Sequence, residues 1–279
     1  MNQKIKIAFS CNWGQSAFEL LEAYRKQTPN SLGIWNNIEG VNNISEADYL
    51  IVLSSVGVDQ QYTFPKDRTI HFRREPDFIQ KFTPLEGIKR VFDYKDNGFH
   101  VSTWQYLSDS FDGLVDKPYK PKSKNASTIS SPKWQHRNQF LYEAAQQNPG
   151  SIDMYGPPIM EQVFGVNYRQ LHQKHKNEAI EDYRYSIAIE NSQQLNYFTE
   201  KINDCYLHLT MPIYWGCPNI GDYFPENSFY LVEMNNAKEI QEILKKPIEE
   251  KHIKALLEAK DLVMNKYNIW PVIENIINE

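Results

Sequence analysis

Short apolar runs alternate along the chain with longer amphipathic stretches. From Lys4 to Ser10, Ile5, Ile7 and Phe9 alternate with polar or small residues, the period of a strand. Ala17 to Arg25 sets Phe18, Leu21 and Tyr24 at helical spacing. Tyr49 to Ser54 is a continuous apolar run, suited to a strand covered on both faces. Thr69 to Arg73 is a further strand that runs straight into Arg74-Glu75-Pro76. Strands separated by helical or irregular stretches predict an α/β domain with a mostly parallel sheet.

From Asp116 to Lys124 the character changes: two prolines and four lysines with little apolar content read as an exposed linker. A second series follows. Strands are predicted over Ala126 to Ser131, Ser151 to Tyr155, Tyr185 to Ile189, Met211 to Trp215 and Phe229 to Glu233. Helices are predicted over Lys133 to Gln147, stopped by Asn148-Pro149-Gly150, and over His172 to Asp182, Thr199 to Leu209, Ala237 to Leu244 and Glu249 to Asn265. A short apolar tail, Pro271 to Ile277, closes the chain. The pattern divides the chain into residues 1–118 and 119–279, the tail being free to pack back on the first domain. Two α/β halves facing across a cleft describe a GT-B-like pair of Rossmann-type domains, and open parallel sheets bind ligands at the carboxyl ends of their strands. Other two-domain α/β proteins share that outline.

Composition narrows the function. A formal net charge of −5 argues against a nucleic-acid or anionic-membrane partner. Three cysteines, Cys11, Cys205 and Cys217, do not make a disulfide framework. No run reaches the roughly 20 apolar residues of a membrane span, and no signal core opens the chain. A reducing, cytoplasmic location is the expectation. His172 and His175 lack the carboxylate of a zinc-protease motif and read as a solvated face. There is no Gly-x-Gly-x-x-Gly, Walker loop or Asp-x-Asp, so dehydrogenase and P-loop kinase readings have little support and no metal is predicted.

The chemistry concentrates between Tyr183 and Gly216. The strand over Tyr185 to Ile189 ends in Glu190-Asn191-Ser192. Thr199 is placed to cap the helix that follows, with Glu200 and Lys201 in its first turn and Ile202, Cys205, Tyr206 and Leu209 on its inward face. A helix N-terminus attracts phosphate, and a lysine there is better explained by an anion in front of it. Pairing of Lys201 with Glu190 or Glu200 alone is the competing explanation. Upstream, Ser130-Ser131-Pro132 leads into His136-Arg137-Asn138, again a strand end entering a helix.

Glu190-Asn191-Ser192, Tyr197, Thr199-Glu200-Lys201 and Pro212-Ile213-Tyr214-Trp215-Gly216 together resemble the donor-binding signature of glycosyltransferase family 10, the α1,3/α1,4-fucosyltransferases, with a bacterial-type or viral member as the expected kind. The resemblance covers roughly residues 125 to 235. It implies a GT-B fold and inverting transfer of L-fucose from GDP-fucose to a hydroxyl of an oligosaccharide or glycolipid acceptor, with no further cofactor. It assigns Asn191, Tyr197 and Glu200 to the guanosine part, Glu200 to the ribose hydroxyls, and Glu190 to the donor site. Lys201 and Arg137 would meet the diphosphate, and Gly156 would let backbone approach the nucleotide. The general base implied is Glu75, flanked here by Arg73 and Arg74 where the family has glycine, with Asp77 and Glu86 in reserve. Among Trp13, Trp35, Trp104 and Trp134, Trp13 directly follows the first strand and is the candidate for an acceptor sugar's apolar face. Two other readings stay open: a transferase for another GDP-linked sugar, and a non-catalytic protein that binds a nucleotide-sugar or glycan.

Overall fold

The computed structural model describes residues 4–55, 64–75, 87–95, 100–104, 106–172 and 176–279. The chain forms two units: residues 1–103, 110–112 and 267–279 make the first, residues 104–109 and 113–266 the second.

In the first unit, β1 (Ile5–Cys11) leads into α1 (Ala17–Arg25), followed by β2 (Ile34–Trp35), β3 (Ile38–Gly40), β4 (Tyr49–Leu53), β5 (Thr69–Arg73) and β6 (Arg90–Asp93). The apolar runs of β1 and β4 are buried, as strands covered on both faces must be. The sheet order is β2-β3-β1-β4-β5-β6, parallel except for the β2–β3 pair. Ser16 starts α1 with a capping box: its hydroxyl accepts from the Glu19 amide at 3.2 Å, and Glu19 accepts from the Ser16 amide at 2.8 Å.

After a short helix, α2 (Phe111–Val115), the second unit repeats the scheme with β7 (Lys124–Ile129), α3 (Gln135–Gln146), β8 (Ile152–Gly156), α4 (Glu161–Phe164), β9 (Tyr168–Gln170), β10 (Tyr183–Ile189), α5 (Glu200–Leu207), β11 (Met211–Trp215), β12 (Tyr230–Leu231), α6 (Ala237–Leu244) and α7 (Glu250–Asp261). All five strand pairs are parallel, in the order β12-β11-β10-β7-β8-β9. This is the doubly wound order of a Rossmann-type sheet, with its reversal point between β7 and β10.

Two expectations are corrected, and the tail gains a defined form. The described part of the segment over His172 to Asp182 is not an α-helix: β9 pairs with β8 just before it, and a 3-10 turn at Lys176–Ala179 leads toward β10. His175 lies outside the described residues. The stretch Asp116 to Lys124 is tied into the second unit, where Lys122 Nζ donates to the carbonyls of Glu181 and His208 at 2.6 and 2.7 Å. The apolar tail is a full helix, α8 (Ile269–Asn278), on the core of the first unit. Pro271 is its third residue, where the N–H has no intrahelical partner to lose. Asn268 caps it by accepting from the Trp270 amide at 3.3 Å.

Candidate active site

At the reversal point β7 hands the chain outward toward β8, and β10 hands it the other way toward β11, so a crevice opens beyond the carboxyl ends of both strands. A pocket of about 330 Å³ lies there, and the described residues that line it all belong to the second unit. Ser130 and Ser131 from the end of β7, Ile189 and Asn191 from the end of β10, Trp134 and Arg137 from the start of α3, and Glu200, Lys201 and Asp204 from α5 line it.

Arg137 is 4% exposed. Its Nη1 donates to the Ile189 carbonyl and to Asn191 Oδ1, each at a long 3.3 Å, and its Nε has no hydrogen-bond partner among the described residues. Burial lowers its pKa, while Glu190 and Glu200 work in the opposite direction. A buried guanidinium with an unsatisfied donor is poised for a bound anion, because leaving that donor unpaired costs free energy.

Lys201 and Glu190 form the second feature. Thr199 caps α5, accepting from the Lys201 amide at 3.4 Å, and its own amide and hydroxyl donate to the Glu190 carboxylate at 2.8 to 3.0 Å. Lys201 Nζ lies 3.1 Å from Glu190 Oε2 and 3.6 Å from Glu200 Oε1. Burial works against its charge, yet Glu190 and Glu200 outweigh it and hold the pKa above the ordinary lysine value. The two explanations for Lys201 therefore coexist: the ammonium is paired, and it also lines the pocket.

Glu190 itself is fully buried and is not among the pocket-lining residues; it acts on the site through Thr199 and Lys201. Gly216 makes room for it, since a Cβ there would lie 2.4 Å from Glu190 Cγ. Gly156 does not line the pocket either. A Cβ there would meet Met160 and the Ser130 carbonyl at 3.0 Å, so its small size serves close packing. Tyr197 is buried outside the lining, whereas Asn191 and Glu200 face the pocket. Glu75 and Trp13 belong to the first unit, Glu75 half-buried just after β5 and Trp13 41% exposed after β1. Asp77 and Glu86 lie outside the described residues.

Sequence reasoning missed Lys176 and Asp204. Lys176 was hidden in a polar stretch with no buried face. Asp204 was legible in principle, since it falls four residues after Glu200 on the same face of α5. Burial pushes its carboxyl up to about 6 against the opposing effect of Lys176. Trp134, which the sequence offers only as one of four tryptophans for an acceptor sugar, also lines the pocket. Among the described residues no group of three or more His, Cys, Asp or Glu is placed to hold a metal, and no helix is long and apolar enough to cross a membrane.

Two mostly parallel Rossmann-like sheets, with a pocket at the reversal point of the second, make a GT-B fold. The same fold appears in an α1,3-fucosyltransferase solved with GDP-fucose (19% identical, TM-score 0.51, covering 93% of this chain and 83% of that one). It appears again in T4 phage BGT solved with UDP-glucose (11% identical, TM-score 0.51, covering 94% and 95%). Residues 119–260 match the family described as glycosyltransferase family 10 (fucosyltransferase) C-term, and the chain belongs to that family. It is 39% identical over 71 residues to the α-(1,3)-fucosyltransferase FucT of Helicobacter pylori, a match covering 25% of this chain and 14% of that protein. To α-(1,3)-fucosyltransferase B of Drosophila melanogaster it is 24% identical over 195 residues, covering 65% and 42%. Each match thus covers less than half of the relative's own length.

Proposed function

We propose that the protein is an inverting α1,3-fucosyltransferase that takes L-fucose from GDP-fucose and places it on a hydroxyl of an oligosaccharide or glycolipid acceptor. The observation that carries this reading is the buried, unsatisfied Arg137 Nε beside Lys201 in a pocket at the reversal point of the sheet of a family 10 protein. Two cations and the N-terminus of α5 suit a diphosphate. Asn191 and Glu200 suit the nucleoside, Glu200 by accepting from the ribose hydroxyls.

In the reaction a base removes the acceptor proton as that oxygen attacks the anomeric carbon from the face opposite GDP. The bond from that carbon to the β-phosphate oxygen breaks, and Arg137 and Lys201 stabilise the charge that develops on the diphosphate. Neutralisation by these side chains is the basis for proposing that no metal is needed. Glu75 is our assignment for the base. It lies half-buried just after β5, at the carboxyl end of a strand of the first unit, where a parallel sheet presents its functional groups. The three free cysteines suit a reducing, cytoplasmic setting.

Calorimetric titration with GDP, GDP-fucose, GDP-mannose and UDP-sugars, with and without EDTA, tests the donor assignment. Selective binding of GDP and GDP-fucose, unchanged by EDTA, is expected. Preference for a uridine nucleotide would remove it. Glu75→Gln is expected to bind GDP normally and to lose transfer to any acceptor that the native protein uses; retained transfer would move the base elsewhere.

A further inference from the structure

Lys176 enters the pocket from the turn before β10 with no role in the donor reading so far. Its Nζ lies 3.1 Å from Asp204 Oδ2 and 5.3 Å from the centre of the Tyr106 ring, and the Lys176 side chain is only 18% exposed. Asp204, 2% exposed, keeps a second oxygen, Oδ1, without a hydrogen-bond partner among the described residues. The ammonium also lies 3.8 Å from Glu200 Oε1, the same oxygen that Lys201 approaches at 3.6 Å. The charges therefore alternate along one chain of contacts: Glu190, Lys201, Glu200, Lys176, Asp204.

Two ammonium groups on one carboxylate oxygen restrict the rotation of that carboxylate, and so set the direction of its other oxygen. Glu200 is the first residue of α5, and only the first of these ammonium groups belongs to its own helix. The second comes from a separate segment, and the buried Asp204 one turn along α5 fixes where it sits. A buried lysine is costly unless paired, and here the pairing couples its position to the face of α5 that carries Glu200.

We infer that Lys176, held by Asp204, is a positioning residue for the nucleotide: it fixes the Glu200 carboxylate so that it accepts from the vicinal hydroxyls of the ribose. The inference rests on the donor reading above.

The test compares calorimetric affinities for GDP and 2′,3′-dideoxy-GDP, which lacks both hydroxyls. Native protein prefers GDP. Lys176→Met is expected to weaken GDP roughly tenfold and leave dideoxy-GDP within about twofold, so the preference collapses. Glu200→Gln does the same, and Lys176→Met adds nothing further in that background, as expected of residues that act as one unit. Lys176→Arg retains the cation and most of the preference. Asp204→Asn, which keeps the side chain's shape, lowers the preference in the same direction and provides the test if Lys176→Met fails to fold. Equal weakening of both nucleotides by Lys176→Met or Asp204→Asn would overturn the inference and assign Lys176 to the diphosphate or to stability. Native protein that binds no GDP would overturn the donor reading and this inference together. Native GDP binding with an unaltered preference in the variants overturns this inference alone.

Discussion

Glu190 is wholly buried, and its charge is met by Lys201 at 3.1 Å and by two donors from Thr199. Removing one member of a buried pair leaves an uncompensated charge, at a cost of roughly 3–5 kcal/mol. Lys201→Ala is therefore expected to lose both turnover, by orders of magnitude, and several degrees of melting temperature. Arg137→Ala removes a guanidinium whose Nε is already unsatisfied, so it should lose turnover comparably with far less thermal cost. Near-native activity in either variant would remove its assigned role, and equal melting losses would contradict the distinction between them. Asp204 gives a separate pH signature. The charges facing it are Lys176 from the turn before β10, and Glu200 and Lys201 from its own helix. Its folded pKa of about 6 lies above the ordinary 3.8, so between those values the native state binds the proton more tightly. The Asp204 contribution to stability thus falls as pH rises through that window and is fully lost above it. Subtracting the melting-temperature profile of Asp204→Asn from that of the native protein should reveal this downward slope; a flat difference would contradict it.

At the scale of elements, α5 couples the end of one strand to the pocket through its cap. Thr199→Ala removes the cap and two of the contacts to Glu190, with an expected loss of about 1 kcal/mol or more in denaturant unfolding and a weakened GDP affinity. An effect on unfolding alone would mean that Lys201 holds its place without the cap. This region was legible in sequence because its signals are local: Thr199 before an apolar face at helical spacing, and an apolar strand ending in polar residues. Strands β4, β5 and β11 were read for the same reason, as apolar runs buried on both faces. Strands β2, β3, β6 and β9, with two to four residues each, carry too little periodicity to register and depend on pairing with a neighbour. Lys176 escaped notice for a related reason. Its partners Asp204 and Tyr106 are distant in sequence, and only the fold brings the three together. Glu190 was legible as a site residue but its burial was not, since that depends on the space left by Gly216.

At the scale of the whole molecule, the final helix completes the unit that the first strand begins. Trp270 is fully buried, with its ring 5.7 Å from that of Phe9 and its Nε1 donating to the Tyr24 carbonyl at 2.9 Å. Gly40 is shaped to that contact, because a Cβ there would lie 2.9 Å from the indole and 2.4 Å from Leu21 Cδ1. Asn268 adds a buried hydrogen bond of 2.9 Å to the Gln27 carbonyl, so the last turn of chain before α8 is fastened to the segment after α1. Stability of the first unit therefore depends on residues that follow the entire second unit, whereas every described residue lining the pocket beyond β7 and β10 lies in the second. Trp270→Ala leaves a large cavity in the first core and should cost roughly 3–5 kcal/mol there. Differential scanning calorimetry of this variant is expected to show an early transition that the native protein lacks at that temperature. GDP titration below that transition should return the native affinity, because every described residue that lines the pocket belongs to the second unit. A loss of GDP affinity in the still-folded variant would show instead that nucleotide binding requires the first unit's core.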